Sequence, residues 1–152
     1  MTQPEQVRDE LVRQWVKKAD EDLAVAERLI DGDTAFPAAT GFHAQQAAEK
    51  YLKAYLVRRQ RDFPKTHDLE ELLDLVALVE ESLAESLRPA GGLTPYAVND
   101  RYPTDGPEPT KEEAREAIAL ARTTRDAISS AIRALAPGKP NTEPQSTNES
   151  PD

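Results

Sequence analysis

AQQAAEKYLKAYLVRRQRDFPKTHDLEELLDL, residues Ala44–Leu75, decides the fold. Apolar residues recur there at helical spacing through Ala48, Leu52, Tyr55 and Leu56. The pattern fades in Arg58–Arg61 and stops before Pro64, because a residue preceding proline avoids the helical region. A new helix then opens after Thr66 or Asp68, both good N-caps, with Glu71 three residues beyond Asp68. The stretch therefore reads as helix, basic hinge, helix. It also gathers positive charge: Lys50, Lys53, Arg58, Arg59, Arg61 and Lys65 face a single acid, Asp62, between positions 50 and 65. That segment carries +5 in a chain of net charge −9, so the rest carries −14. A basic patch kept inside an acidic chain, next to His67, points to an anion.

The flanking sequence extends the same pattern. Upstream, Val7, Leu11, Trp15, Ala19, Leu23, Ala26 and Ile30 form one stripe, which predicts a helix from about Gln3 to Ile30. Thr2 and Glu5 make a capping box, and Pro4 is tolerated in the first turn. The next helix is expected to start at Asp33 or Thr34 and to bury Ala38, Phe42, Gln45, Ala48, Leu52, Tyr55 and Leu56. Its small residues, Ala38, Ala39, Gly41, Ala44, Ala47 and Ala48, permit close approach by another helix. The third stripe runs through Leu69, Leu72, Leu73, Val76, Val79, Leu83 and Leu87, and reads as one helix ended by Pro89 and Gly91-Gly92. From Arg88 to Pro109 the chain reads as a long irregular connection. A last helix opens on the capping box of Thr110 and Glu113 and would bury Ala114, Ala117, Ile118, Ala121, Ile128, Ile132 and Leu135. The expected architecture is all-α: an up-and-down four-helix bundle over residues 3–136, with a long irregular loop before the last helix. Residues 137–152 lack apolar groups and read as a disordered tail.

Composition narrows function. The chain of 152 residues has no cysteine, which excludes disulfides, thiolate metal sites and a cysteine nucleophile. No apolar run is long enough to span a membrane and no signal-peptide core opens the chain, so a cytoplasmic protein is expected. The chain has two histidines, His43 and His67, and neither follows a glutamate by three residues, so the Glu-x-x-His pairs of a di-metal bundle are missing. No serine-triad motif or glycine-rich phosphate loop occurs either. No metal and no cofactor is expected.

What remains is Arg61-x5-His67, with Lys65 and Thr66 beside it. Metal-independent cleavage of RNA needs a base for the 2′-OH proton, an acid for the leaving oxygen and a cation for the phosphate. Histidine can exchange the proton and arginine can hold the phosphate. The structural alternative is that His67 merely caps the helix or bonds to a carbonyl, while Arg58, Arg59 and Arg61 complement the helix dipole. His43 reads as a core or interface hydrogen-bonding group. Gln45 falls on the buried stripe and needs a partner. Glu49 with Lys50 and Lys53 reads as surface pairing on a helix. In the long connection, Arg101 and Tyr102 can bind a nucleotide by charge and stacking, or Tyr96 and Tyr102 can plug the end of the bundle.

The segments KKADEDLAVAERLI (Lys17–Ile30), FHAQQAAEKYLKAYLV (Phe42–Val57), PKTHDLEELL (Pro64–Leu73) and RYP (Arg101–Pro103) occur in that order, and together they resemble the HEPN domain family of prokaryotic toxin–antitoxin and defence systems. The resemblance covers about residues 10–135. It implies a bundle that forms a homodimer, often encoded beside a minimal nucleotidyltransferase of the MNT type. Active members are metal-independent RNases with an Arg-x4–6-His motif at the dimer interface. That motif lies in the later part of the domain, about where NDRYPTDG stands here, yet positions 106 to 108 are Gly106, Pro107 and Glu108. Arg61-x5-His67 meets the spacing at the earlier hinge. In some pairs the nucleotidyltransferase adds AMP to a tyrosine near the motif, for which Tyr102 is the nearest equivalent. The resulting expectation is His67 and Arg61 as catalytic candidates. Lys50, Lys53, Arg58, Lys65, Arg101 and Tyr102 would bind RNA or nucleotide phosphate. The alternatives are a non-catalytic module that binds a nucleotide or protein and scaffolds a partner enzyme, and a purely structural dimerisation unit.

Overall fold

The computed structural model describes residues 1–32, 35–98 and 102–135. Among them are five α-helices and a 3-10 segment, with no strand. Helix α1 spans Gln3–Ile30, α2 Pro37–Arg58, α3 Leu69–Val79, α4 Glu81–Leu87 and α5 Lys111–Ala134, and the 3-10 segment runs Arg88–Ala97 between α4 and α5. The all-helical expectation holds.

Helix starts follow the side chains available to cap them. Thr2 accepts from the Glu5 amide at 3.3 Å while the Glu5 carboxylate accepts from the Thr2 amide at 2.8 Å. Thr110 and Glu113 repeat the arrangement at 3.1 and 3.0 Å before α5. Asp68 caps α3 by accepting from the Glu70 amide at 3.0 Å. Helix α2 instead begins at Pro37 with no side-chain cap. The expected start at Asp33 or Thr34 falls outside the described residues, as do residue 136 and the whole of the expected tail, residues 137–152.

Helix α2 is the centre of the bundle, packed mainly against α1 and α5 and also against α3 and the 3-10 segment. That position explains its alanines: Ala44, Ala47, Ala48 and Ala54 are fully buried and admit neighbouring helices, while Tyr51, Leu52, Tyr55 and Leu56 fill the space between them. The other helices each bury one stripe, for example Leu69, Leu72, Leu73 and Val76 in α3. No helix among the described residues is long and apolar enough to cross a membrane.

Three sequence expectations need correction. The stripe from Leu69 to Leu87 is not one helix but two, because the chain breaks at Glu80 (φ −155, ψ 87). There the carboxylate accepts from the Tyr55 hydroxyl and lies 3.8 Å from Arg59. The apolar spacing survives the break, so periodicity alone could not reveal it. Second, the first half of the long connection is ordered as the 3-10 segment, tied down where Arg88 reaches Asp74 at 2.8 Å and Glu70 at 3.2 Å. It also comes so close to α2 that a Cβ on Gly41 would lie 2.2 Å from the Tyr96 ring. Third, the N-terminal half of the α1 stripe is not core: Val7 is 63% and Leu11 43% exposed. Burial on that stripe resumes fully at Ala19.

Candidate functional site

The hinge between α2 and α3 is built by a helix ending. Gln60 adopts the left-handed conformation (φ 56), its amide bonds to the Val57 carbonyl at 3.0 Å, and the Arg61 amide bonds to Leu56 at 2.8 Å. These paired bonds form a Schellman motif, usually completed by glycine at the left-handed position. It reverses the chain, so that residues 61–68 run back along α2. Phe63 thus arrives beside Lys53, and His67 beside Glu49 and Gln45.

His67 is fixed at two points. The Gln45 amide donates to its carbonyl at 3.0 Å, and Nδ1 lies 2.6 Å from Glu49 Oε1. Its ring is 68% exposed, whereas Glu49 is 3% exposed. A buried carboxylate therefore grips Nδ1 of an imidazole that otherwise faces solvent, which leaves Nε2 as the reactive nitrogen. Glu49 also pairs with Lys53 at 3.3 Å, and Lys53 is itself buried. The ammonium lies 5.6 Å from the Trp15 ring centroid and 5.7 Å from that of Phe63. Those rings meet edge-on at 6.2 Å. The pairing of Glu49 with Lys53, expected on the surface, is thus inside the protein. Lys53 faces a carboxylate and two aromatic rings, the partners that a buried cation needs.

The other candidate cations are placed unequally. Lys50 pairs with Asp22 of α1, and the same carboxylate lies 2.9 Å from His43 Nδ1. His43 therefore has the internal hydrogen bond expected of it. Arg58 donates to the carbonyl of Leu135 at the end of α5. Arg59 bonds to the Tyr55 hydroxyl at 2.9 Å beside Glu80. Burial, reinforced by the Glu80 carboxylate, pushes the Tyr55 phenol up to about 12, and burial with Asp20 raises Tyr51 in the same direction. Arg61 and Lys65 are exposed and make no side-chain hydrogen bond or ion pair among the described residues. The structure thus brings Lys53 to His67 through Glu49, while Lys50 and Arg58 are directed to Asp22 and to α5.

In the second half of the long connection, Tyr102 is 73% exposed, with its amide bonded to Asp105 at 2.7 Å. Tyr96, not Tyr102, packs on the bundle. Arg101 lies outside the described residues. No group of three or more His, Cys, Asp or Glu side chains able to hold a metal occurs among the described residues.

Sequence reasoning missed the role of Glu49, the aromatic enclosure around Lys53, and Asp22. One signal was available for the first: Gln45, Glu49 and Lys53 recur at four-residue intervals, so a buried Gln45 puts the others near the same buried face. The partners from α1 and from the hinge, Trp15, Asp22 and Phe63, depend on chain packing and left no local trace.

Comparison with known proteins agrees with the all-helical architecture. No curated protein matches the chain. The crystal structure of TT1696 from Thermus thermophilus is 31% identical over 78% of this chain and 96% of that one, with a TM-score of 0.63. The HEPN domain profile matches residues 12–131, which takes in α2, the hinge, α3, α4, most of α5 and α1 from residue 12 onward. The chain belongs to the HEPN domain family.

Proposed function

We propose that this chain is the HEPN member of a toxin–antitoxin or defence-type pair, dimeric, and working beside a minimal nucleotidyltransferase. At the hinge it binds the phosphate of RNA or of a nucleotide and cleaves RNA without metal. The observation that carries the reading is the contrast at His67: an exposed imidazole held through Nδ1 by a buried Glu49. A purely architectural histidine has no need to present its second nitrogen to solvent. In the reaction, Nε2 of one His67 takes the 2′-hydroxyl proton as that oxygen attacks phosphorus, and the protonated His67 of the partner subunit gives a proton to the leaving 5′-oxygen. Arg61 with Lys65 offsets the charge on the phosphate. Glu49 is a positioning residue.

The test is RNA cleavage by purified protein in excess chelator. Activity that persists there and is lost in His67→Ala supports the enzyme. Cleavage that His67→Ala leaves unchanged refutes the assignment. Binding at the hinge must weaken steeply with salt if phosphate is the contact.

A second reading, a non-catalytic module that binds a nucleotide or a protein and scaffolds the partner enzyme, is favoured by a different observation. Lys50, Lys53 and Arg58 all have internal partners, which reduces the cations open to a long polyanion. Intact RNA together with a nucleotide-induced rise in melting temperature is its expected signature.

A further inference from the structure

Alongside the hinge lies a groove on α1 that the phosphate reading does not use. Leu11, Gln14, Trp15 and Lys18 line it, and it measures about 110 Å³. Trp15 is half-buried and held in place, with Phe63 against its edge and the Lys53 ammonium near its ring. Leu11 stands 43% exposed beside it. Gln14 offers amide donors and an acceptor, and its side-chain hydrogen bond to Glu10 is long at 3.4 Å. Lys18 is exposed and makes no ion pair among the described residues.

An aromatic plate, an apolar neighbour, an amide and a cation are the groups that hold a nucleobase: a face to stack on, an edge to read and a phosphate to balance. Charge favours this occupant. Through Phe63 the groove adjoins the segment that carries Arg61 and Lys65, the two exposed cations of the hinge. Because Phe63 already fixes the indole, stacking on it costs little ordering of the protein.

We propose that this groove is a base-stacking subsite. It rests on the reading of the hinge as a phosphate site, and it makes single-stranded RNA the substrate class. An unpaired base can leave its neighbours and lie on Trp15 while an adjacent phosphate meets Arg61, Lys65 and His67. A base inside a duplex cannot.

Trp15 is the sole tryptophan of the chain, so its emission reports on the groove alone. Titration with a short single-stranded RNA is expected to quench that emission saturably, in step with the anisotropy of the same RNA carrying an end label. Trp15→Ala, checked for folding by circular dichroism, is expected to weaken the anisotropy-measured affinity by between about 5-fold and about 150-fold. Trp15→Phe retains most of it. If Trp15→Ala does not fold, the exposed-site variant Lys18→Glu replaces it, with weaker binding again expected. A duplex of the same sequence is expected to compete much less well than the single strand. Saturable RNA binding without quenching, full affinity in Trp15→Ala or in its replacement, or equal competition by duplex overturns the base subsite and leaves the hinge reading standing. Emission that changes with protein concentration alone assigns the groove to self-association and overturns the proposal. No anisotropy change with wild-type protein removes the hinge reading, and the base subsite with it.

Discussion

Replacing Glu49 by glutamine tests the buried ionic arrangement that holds His67. The substitution keeps shape and hydrogen-bonding capacity but removes the carboxylate charge opposite Lys53, whose side chain is 8% exposed. Breaking a buried pair by neutralising one member costs about 3–5 kcal/mol, because the remaining charge has lost its counterion. Two features keep the figure at the low end. Trp15 and Phe63 still face the ammonium, and for a desolvated cation such a contact can reach about 2 kcal/mol. The glutamine oxygen can also still accept from Lys53. The expected loss is about 3 kcal/mol, read as a lower urea midpoint at unchanged slope, with a fall in melting temperature of about 9 °C. In a Lys53→Met background, where no cation is left to orphan, the same change should cost less than about 1 kcal/mol. A loss below about 1 kcal/mol in the wild-type background, or equal losses in both, would refute the view that a buried charge pair anchors the hinge.

Other changes probe the frame around the site. Gly41→Ala puts a methyl group 2.2 Å from the Tyr96 ring, so it should cost about 1–3 kcal/mol in urea unfolding as the 3-10 segment is pushed off α2. Asp68→Ala removes the cap of α3 and should cost about 1 kcal/mol, with faster amide exchange at Glu70. Raising the pH should weaken the fold in a defined window. The folded-state value of Tyr55 lies above its unfolded value near 10, so its contribution is complete below that and is lost as pH climbs to about 12. Tyr55→Phe should flatten the fall of the urea midpoint across this range. An unchanged slope in that variant would assign the alkaline loss elsewhere.

The helices and their caps were legible because their causes are local. Thr2, Asp68 and Thr110 each act within three residues, and the stripes of α1, α3 and α5 record which face must leave water. The break at Glu80 was not legible: the apolar spacing continues through it, and the partners found there, Tyr55 of α2 and Arg59 just beyond that helix, are distant in sequence. The candidate site divides in the same way. His67 with Arg61 was visible as a spacing, and Gln45 as a polar residue on an apolar face. Glu49 and Lys53 looked like an ordinary pair at i and i+4. Only the return of the hinge over α2, which sets Phe63 beside Trp15 against the ammonium, converts them into a buried pair. Val7 and Leu11 show the converse error: a correct period does not guarantee that anything covers the stripe.

The seam between α1 and α2 has one more consequence. Alanine-lined helices offer each other a nearly smooth surface, on which many alignments pack about equally well. Here three attachments interrupt that smoothness: Asp22 with His43 and Lys50, Asp20 with Tyr51, and Trp15 with Lys53. They involve positions 15, 20 and 22 of one helix and 43, 50, 51 and 53 of the other, so a slip of one turn would mismatch all of them together. They act as a vernier, selecting one alignment from many of similar packing energy, and they hold the tryptophan at a fixed height beside Lys53.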